Sequence, residues 1–172
     1  VLQERSIVQK VVRQDPRMAA FNSSSVNTVR MLTMLTKGGD FLIVNASFRS
    51  GVGGAFVDNW SAGGVSVGVD CAKGILKKCA YDKRSRRHAA HPTTGVVFEG
   101  YPVPEWDRII KMAEDLQRSF YFYKMIGLDM AVDRDEGPVL IEANAAPDIA
   151  GLEQKAGPLL KSENALKAFG EY

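Results

Sequence analysis

The chain has 172 residues, 24% of them charged and 45% hydrophobic, with a net charge of only +2. That length builds one domain with a real core, and the charge gives no global field of the kind that gathers nucleic acid or an anionic membrane. No apolar run reaches the length of a membrane span and no signal peptide is legible, so a cytoplasmic protein is expected. In chain order, "SIVQKVV" (residues 6–12) reads as a strand, and "DPRMAAF" as a short helical turn opened by Asp15 and Pro16. "NTVRMLTML" and "FLIVNASF" are β-rich runs joined by the hairpin signal "TKGGD". Residues 49–64, "RSGVGGAFVDNWSAGG", read as an irregular glycine-rich stretch, and "VSVGV" as another short strand. Residues 71–100 read as irregular, with a basic segment at 77–87 whose expected role is a solvated face. Cys71 and Cys79 lack metal-like or redox spacing and read as free thiols.

"PEWDRIIKMAEDLQRSFYFY" (104–123) reads as an amphipathic helix. Trp106, Ile109, Ile110, Ala113, Leu116 and Phe120 keep helical spacing, and the charged positions fall on the other face. The run "IGLDMAVDRDEGPVLIEANAAPD" (126–148) reads as two strands around the turn "DRDEG". A symmetric hairpin centred between Asp135 and Glu136 opposes Asp129 and Glu142 on one face, with Asn144 two residues on. Like charges opposed across a ladder repel, and a divalent cation between them reverses that sign. Asp, Glu and Asn oxygens suit magnesium, which takes phosphate oxygens as further ligands. "LEQKAGPLL" and "SENALKAF" close the chain as helical turns. The pattern is α+β: a mostly antiparallel sheet with helices packed on one side, in a single domain over residues 1–172. The first residues already run into a strand pattern, as expected of a piece of a longer protein.

The hairpin "IGLDMAV…GPVLIEANAAPD" resembles the closing hairpin of ATP-grasp enzymes. "SSSVNTVRMLT", "VDNWSAGG", "HPTTG" and "VPEWDRI" narrow the resemblance to sugar-transfer-associated ATP-grasp proteins, over about residues 7–160. It implies the carboxy-terminal subdomain of a two-part clamp on ATP, with the partner subdomain upstream. It further implies Asp129, Glu142 and Asn144 as ligands of Mg2+, and Arg30 on a phosphate or acyl-phosphate; the strand that carries Arg30 also makes it a candidate ion-pair partner of Glu142. Gln9 and Lys10 fall where the hinge meets adenine; Lys10 departs from the acidic residue expected at the ribose, as Asp15 departs from a His. Arg49, Asn59, Ser61, Gly63 and Gly64 lie in a region that would close over substrate. His91 is a candidate general base, with a turn residue its more frequent role. The implied activity is an ATP- and Mg-dependent ligase that joins a small-molecule carboxylate to an amine or sugar-linked nucleophile through an acyl-phosphate, near polysaccharide biosynthesis. The alternative is a non-catalytic nucleotide-binding or scaffold module. No nucleic-acid partner is expected.

Overall fold

The computed structural model describes residues 9–55, 63–149, 157 and 163–171. Seven strands form one sheet: β1 (Thr28–Leu35), β2 (Phe41–Ser50), β3 (Val65–Asp70), β4 (Ile75–Tyr81), β5 (Arg87–His88), β6 (Met125–Asp133) and β7 (Gly137–Asn144). Their order is β5-β4-β3-β2-β1-β6-β7, with every neighbouring pair antiparallel. Among the described residues, three helices accompany it: α1 (Pro16–Ala19), α2 (Trp106–Ser119) and α3 (Glu163–Gly170). This is the α+β sheet expected from the alternating strands and the single long amphipathic helix.

The alternation of β1 sorts the sheet into two faces. Val29, Met31 and Thr33 point one way, in register with Phe48 and Ala46 of β2 and with Met130, Leu128 and Ile126 of β6. On that face all but Thr33 join Trp106, Ile109 and Ala113 of α2 in the main core. Arg30 and Leu32 point the other way.

Four details depart from the sequence reading. The strand expected over 6–12 is not regular where it is described. Residues 9–13 form no ladder, Val11 is 81% exposed, and Gln14 makes only an isolated bridge to Asp133. Residues 71–100 contain two strands, β4 and β5. Between Val67 and Val69 the register with β4 slips, so inward Leu76 and Ala80 are separated by exposed Lys77 and Lys78. That irregularity erases the period-two signal. Helix α2 is shorter than residues 104–123. Glu105 takes a left-handed conformation (φ 56°) ahead of it, and after Ser119 the four aromatic residues Phe120 to Tyr123 turn out to solvent. Gln117, a polar residue for which the helical spacing gave no reading, is fully buried. It accepts a hydrogen bond from Thr33 Oγ1 at 2.7 Å and donates one to the Tyr123 carbonyl at 2.8 Å. Helix α3 lies where "SENALKAF" was expected to be helical, while "LEQKAGPLL" falls outside the described residues except Gly157.

Candidate functional site

The polar face of the sheet is assembled rung by rung. Ser47 of β2, Arg30 of β1, Asp129 of β6 and Glu142 of β7 are successive partners across four neighbouring strands. The next rung away from the β6–β7 turn runs Asn45, Leu32, Gly127, Asn144. The hairpin therefore opposes Asp129 and Glu142, but by a different route from the symmetric one. The turn is centred on Asp135, one half-step from the expected position, and a bulge between Asp129 and Met130 on the β7 side shifts the register back.

The turn itself is held by Asp133. Its carboxylate accepts from the backbone N–H of Asp135 (2.9 Å), Glu136 (3.2 Å) and Arg13 (2.7 Å). These backbone donors hold the Asp133 carboxyl below the usual carboxylate range. Gly137 closes the turn at φ 83°, and a Cβ there would lie 2.4 Å from the Arg108 guanidinium. Gly127, on the polar face, leaves room for Pro147; a Cβ would approach the proline ring to 2.9 Å.

Arg30 grips Asp129 with two parallel bonds, Nε to Oδ1 and Nη2 to Oδ2. Arg49 Nη1 reaches both Asp129 oxygens at 3.3 Å. All three side chains are largely buried, with 16% of Arg30, 15% of Arg49 and 7% of Asp129 exposed. Arg49 thus belongs to strand β2 and to this cluster, not to an irregular loop. Arg30 pairs with Asp129, whereas its expected ion-pair partner was Glu142.

The oxygen donors differ in how they suit a magnesium ion. Glu142 is exposed and Asn144 half-buried, the latter accepting from Ala146 N at 3.1 Å. Both offer hard oxygens on one face beside the arginines, and both fit such an ion. Both oxygens of Asp129 are engaged by guanidinium groups. Among the described residues no three His, Cys, Asp or Glu side chains cluster as a metal site of their own.

Gln9 and Lys10 lie in a groove of about 180 Å³ with Val12, Asp133, Val139 and Ile141. Lys10 is ion-paired with Glu136 across it. The groove flanks β7, the strand that carries Glu142 and Asn144.

His91 is placed elsewhere. It is 2% exposed and touches Phe21 and Phe98 of the core. Nε2 lies 2.9 Å from the Gly51 carbonyl and 3.2 Å from Ser50 Oγ, and Nδ1 faces the backbone N–H of Thr93 and Thr94. Those contacts fix the tautomer with the proton on Nε2 and make the ring a staple between two loops. Of the glycine-rich region, Asn59 and Ser61 lie outside the described residues; Gly63 has φ 102° and Gly64 is buried where β3 begins.

Two further residues on the polar face gave no signal in the sequence. Ser47 and Ser66 are both 1% exposed, and Ser66 sits opposite Arg49 in register. Ser66 Oγ has no hydrogen-bond partner among the described residues. Serines inside β-rich text carry no period, and only the paired register places them beside the arginines.

The basic run 77–87 is organised around Asp82. Its carboxylate accepts from Arg84 N and Arg86 N, from Arg86 Nε at 2.7 Å, and faces His88 Nε2 at 3.2 Å. Burial opposes the charge on Asp82, and these donors outweigh it, holding the carboxyl far below its usual range. Cys71 and Cys79 are unpaired, and burial pushes the Cys71 thiol up to about 11. Among the described residues no helix is long and apolar enough to cross a membrane.

A model of the sugar-transfer associated ATP-grasp family matches residues 2–168. No curated protein and no solved structure gives a match.

Proposed function

Because the chain belongs to the sugar-transfer associated ATP-grasp family, we propose that its polar face is the phosphate-facing side of an ATP-dependent ligase. The proposed reaction activates a carboxylate. A carboxylate oxygen attacks the γ-phosphorus of ATP, the bond to the β,γ-bridging oxygen breaks, and ADP leaves. An amine or similar nucleophile then adds to the acyl carbon, gives up a proton, and inorganic phosphate departs. The expected setting is cell-surface polysaccharide assembly.

The observation that carries this reading is the single rung that brings Arg30, Asp129 and Glu142 together from three strands. Phosphoryl transfer asks a protein chiefly for positioning and charge compensation. A rigid sheet face with paired guanidinium groups and outlying oxygen donors supplies both. Glu142 and Asn144 would hold magnesium, which when bound offsets charge on the phosphate oxygens. Arg30 would reach the transferred phosphoryl group or the acyl-phosphate. The groove at Gln9 and Lys10 would take the adenine and ribose, with Lys10 already held by Glu136. That ion pair stands where an acidic ribose contact is expected, and it favours a second reading: a nucleotide-binding module without turnover.

One screen separates the two. The full-length protein is incubated with Mg·ATP and a panel of carboxylates and amines, and phosphate release is measured. Release that depends on one carboxylate and one nucleophile supports the ligase. Binding of ATP with no release across the panel supports the module.

A further inference from the structure

Asp129 is held in a way that a ligand of a metal ion is not. Both of its oxygens are bonded to Arg30, and Arg49 lies 3.3 Å from each. It opposes Arg30 directly on the ladder, so the contact is fixed by backbone register and not only by a flexible side chain. To coordinate a cation, Asp129 would have to give up charge-assisted bonds in a largely buried place, where losing one partner leaves the other charge uncompensated.

We propose that Asp129 is a positioning residue that aligns Arg30 and Arg49 as one binding site for an oxyanion, and that it is not a ligand of magnesium. The proposal rests on the ligase reading above, which supplies the oxyanion: the carboxylate being activated or the phosphoryl group it receives. A guanidinium is a planar fork, and its value for a carboxylate or phosphate depends on orientation. One carboxylate contacted by two guanidinium groups fixes both planes without substrate. The neighbouring hydroxyl fits the same purpose. Ser66 lies opposite Arg49, is buried, and has no partner for its Oγ among the described residues. A buried hydroxyl left unsatisfied is costly and marks a place where a ligand or water completes the bond. Magnesium is then left to Glu142 and Asn144, on the outer strand.

The test uses the full-length protein, with Mn2+ as the metal probe in the presence of a non-hydrolysable ATP analogue, read by electron paramagnetic resonance. Asp129→Asn is expected to bind Mn2+ within about threefold of the parent, while Glu142→Gln weakens it about tenfold or more, the scale of losing a group that supports a metal. Loss of Mn2+ binding in Asp129→Asn to the same degree as in Glu142→Gln overturns the proposal. Inorganic phosphate is the second probe, titrated by 31P NMR. Removing a negative charge would by itself tighten anion binding. If Asp129 instead orients the arginines, Asp129→Asn and Arg49→Lys both weaken phosphate binding, by about tenfold. Tighter phosphate binding in Asp129→Asn overturns the positioning role. Should Asp129→Asn fail to fold, Asp129→Glu is measured in its place: it keeps the charge, displaces the guanidinium groups, and is expected to lose phosphate affinity while keeping Mn2+. A parent protein that binds no Mn2+ with the nucleotide overturns the ligase reading and the inference with it. A parent that binds, with Asp129→Asn that does not, overturns the inference alone.

Discussion

Asp129 has Arg30 on one side of its rung and Glu142 on the other, and the two neighbours pull on it oppositely. Arg30 and Arg49 relieve the repulsion that two opposed carboxylates would suffer. Glu142 keeps its exposure, and with it the freedom to meet a cation. Glu142→Gln preserves shape and removes one charge. Turnover of the full-length protein is expected to fall on the order of a hundredfold or more, the scale of deleting one preorganised electrostatic group. The melting temperature should hold or rise, because among the described residues that carboxylate makes no hydrogen bond or ion pair. Calorimetry alongside a phosphate-release assay decides. A lowered melting temperature with full activity would instead make Glu142 a structural partner.

His91 makes a separate prediction at the same scale. Burial disfavours its imidazolium, and although the bond to the Gly51 carbonyl works the other way, the folded-state pKa lies below the ordinary 6.5. Between those two values the unfolded chain carries a proton that the folded one does not. Stability therefore rises with pH through that window, and falls as pH drops below about 6.5. Urea denaturation from pH 7 to pH 5 should show this slope. His91→Asn lowers stability throughout but flattens the slope. Equal slopes in the two proteins would refute a buried neutral histidine.

At the scale of elements, the β6–β7 hairpin shows what was legible and why. Its strands, turn chemistry and the opposition of Asp129 to Glu142 followed from residue types alone. Its turn centre did not, because the bulge on β7 has no residue signature; the two departures cancel at the rung that matters. Strand β4 stayed hidden for the same physical reason, since a register slip destroys alternation. The partner of Arg30 was not legible either: sequence distance gives no preference between two acids on neighbouring strands, and only the paired register does. His91 was readable as a turn residue but not as a buried one, because its ring packs against Phe21, which lies 70 residues away in the sequence, as well as against nearby Phe98. The hairpin also carries a strong backbone prediction. Gly137→Val places a branched side chain at φ 83°, against the Arg108 guanidinium. A cost of about 2 kcal/mol is expected, the scale of a residue held in a sparsely populated backbone region. Gly137→Asn, which tolerates the left-handed region better, should recover part of it. Equal denaturation midpoints for Gly137→Val and the parent would mean that the turn relaxes freely.

At the scale of the whole molecule, the polar face exists only in the folded state. Arg30 and Asp129 are 99 residues apart in the chain, and the rung is completed by strands from both halves of the sequence. A ligand that needs this face binds the native protein and not the unfolded chain. Such a ligand raises stability by mass action, by about 2.7 kcal/mol when present at a hundredfold excess over its dissociation constant. For a domain of this size, each kcal/mol moves the melting temperature by roughly 2–4 °C. Mg·ATP at that excess should therefore raise the melting temperature of the full-length protein by about 5–10 °C. The metal's share is read by repeating the scan with ATP and EDTA. If Glu142 and Asn144 hold magnesium between the protein and the phosphates, chelation removes most of the rise, because the phosphate charges then face Glu142 uncompensated. The same scan on Glu142→Gln separates the contributions. Without that carboxylate, less of the shift should depend on the metal, and the EDTA and magnesium curves should converge. A full shift that survives EDTA in the parent would mean that nucleotide binding rests on the arginines and the groove, and that this face does not hold magnesium.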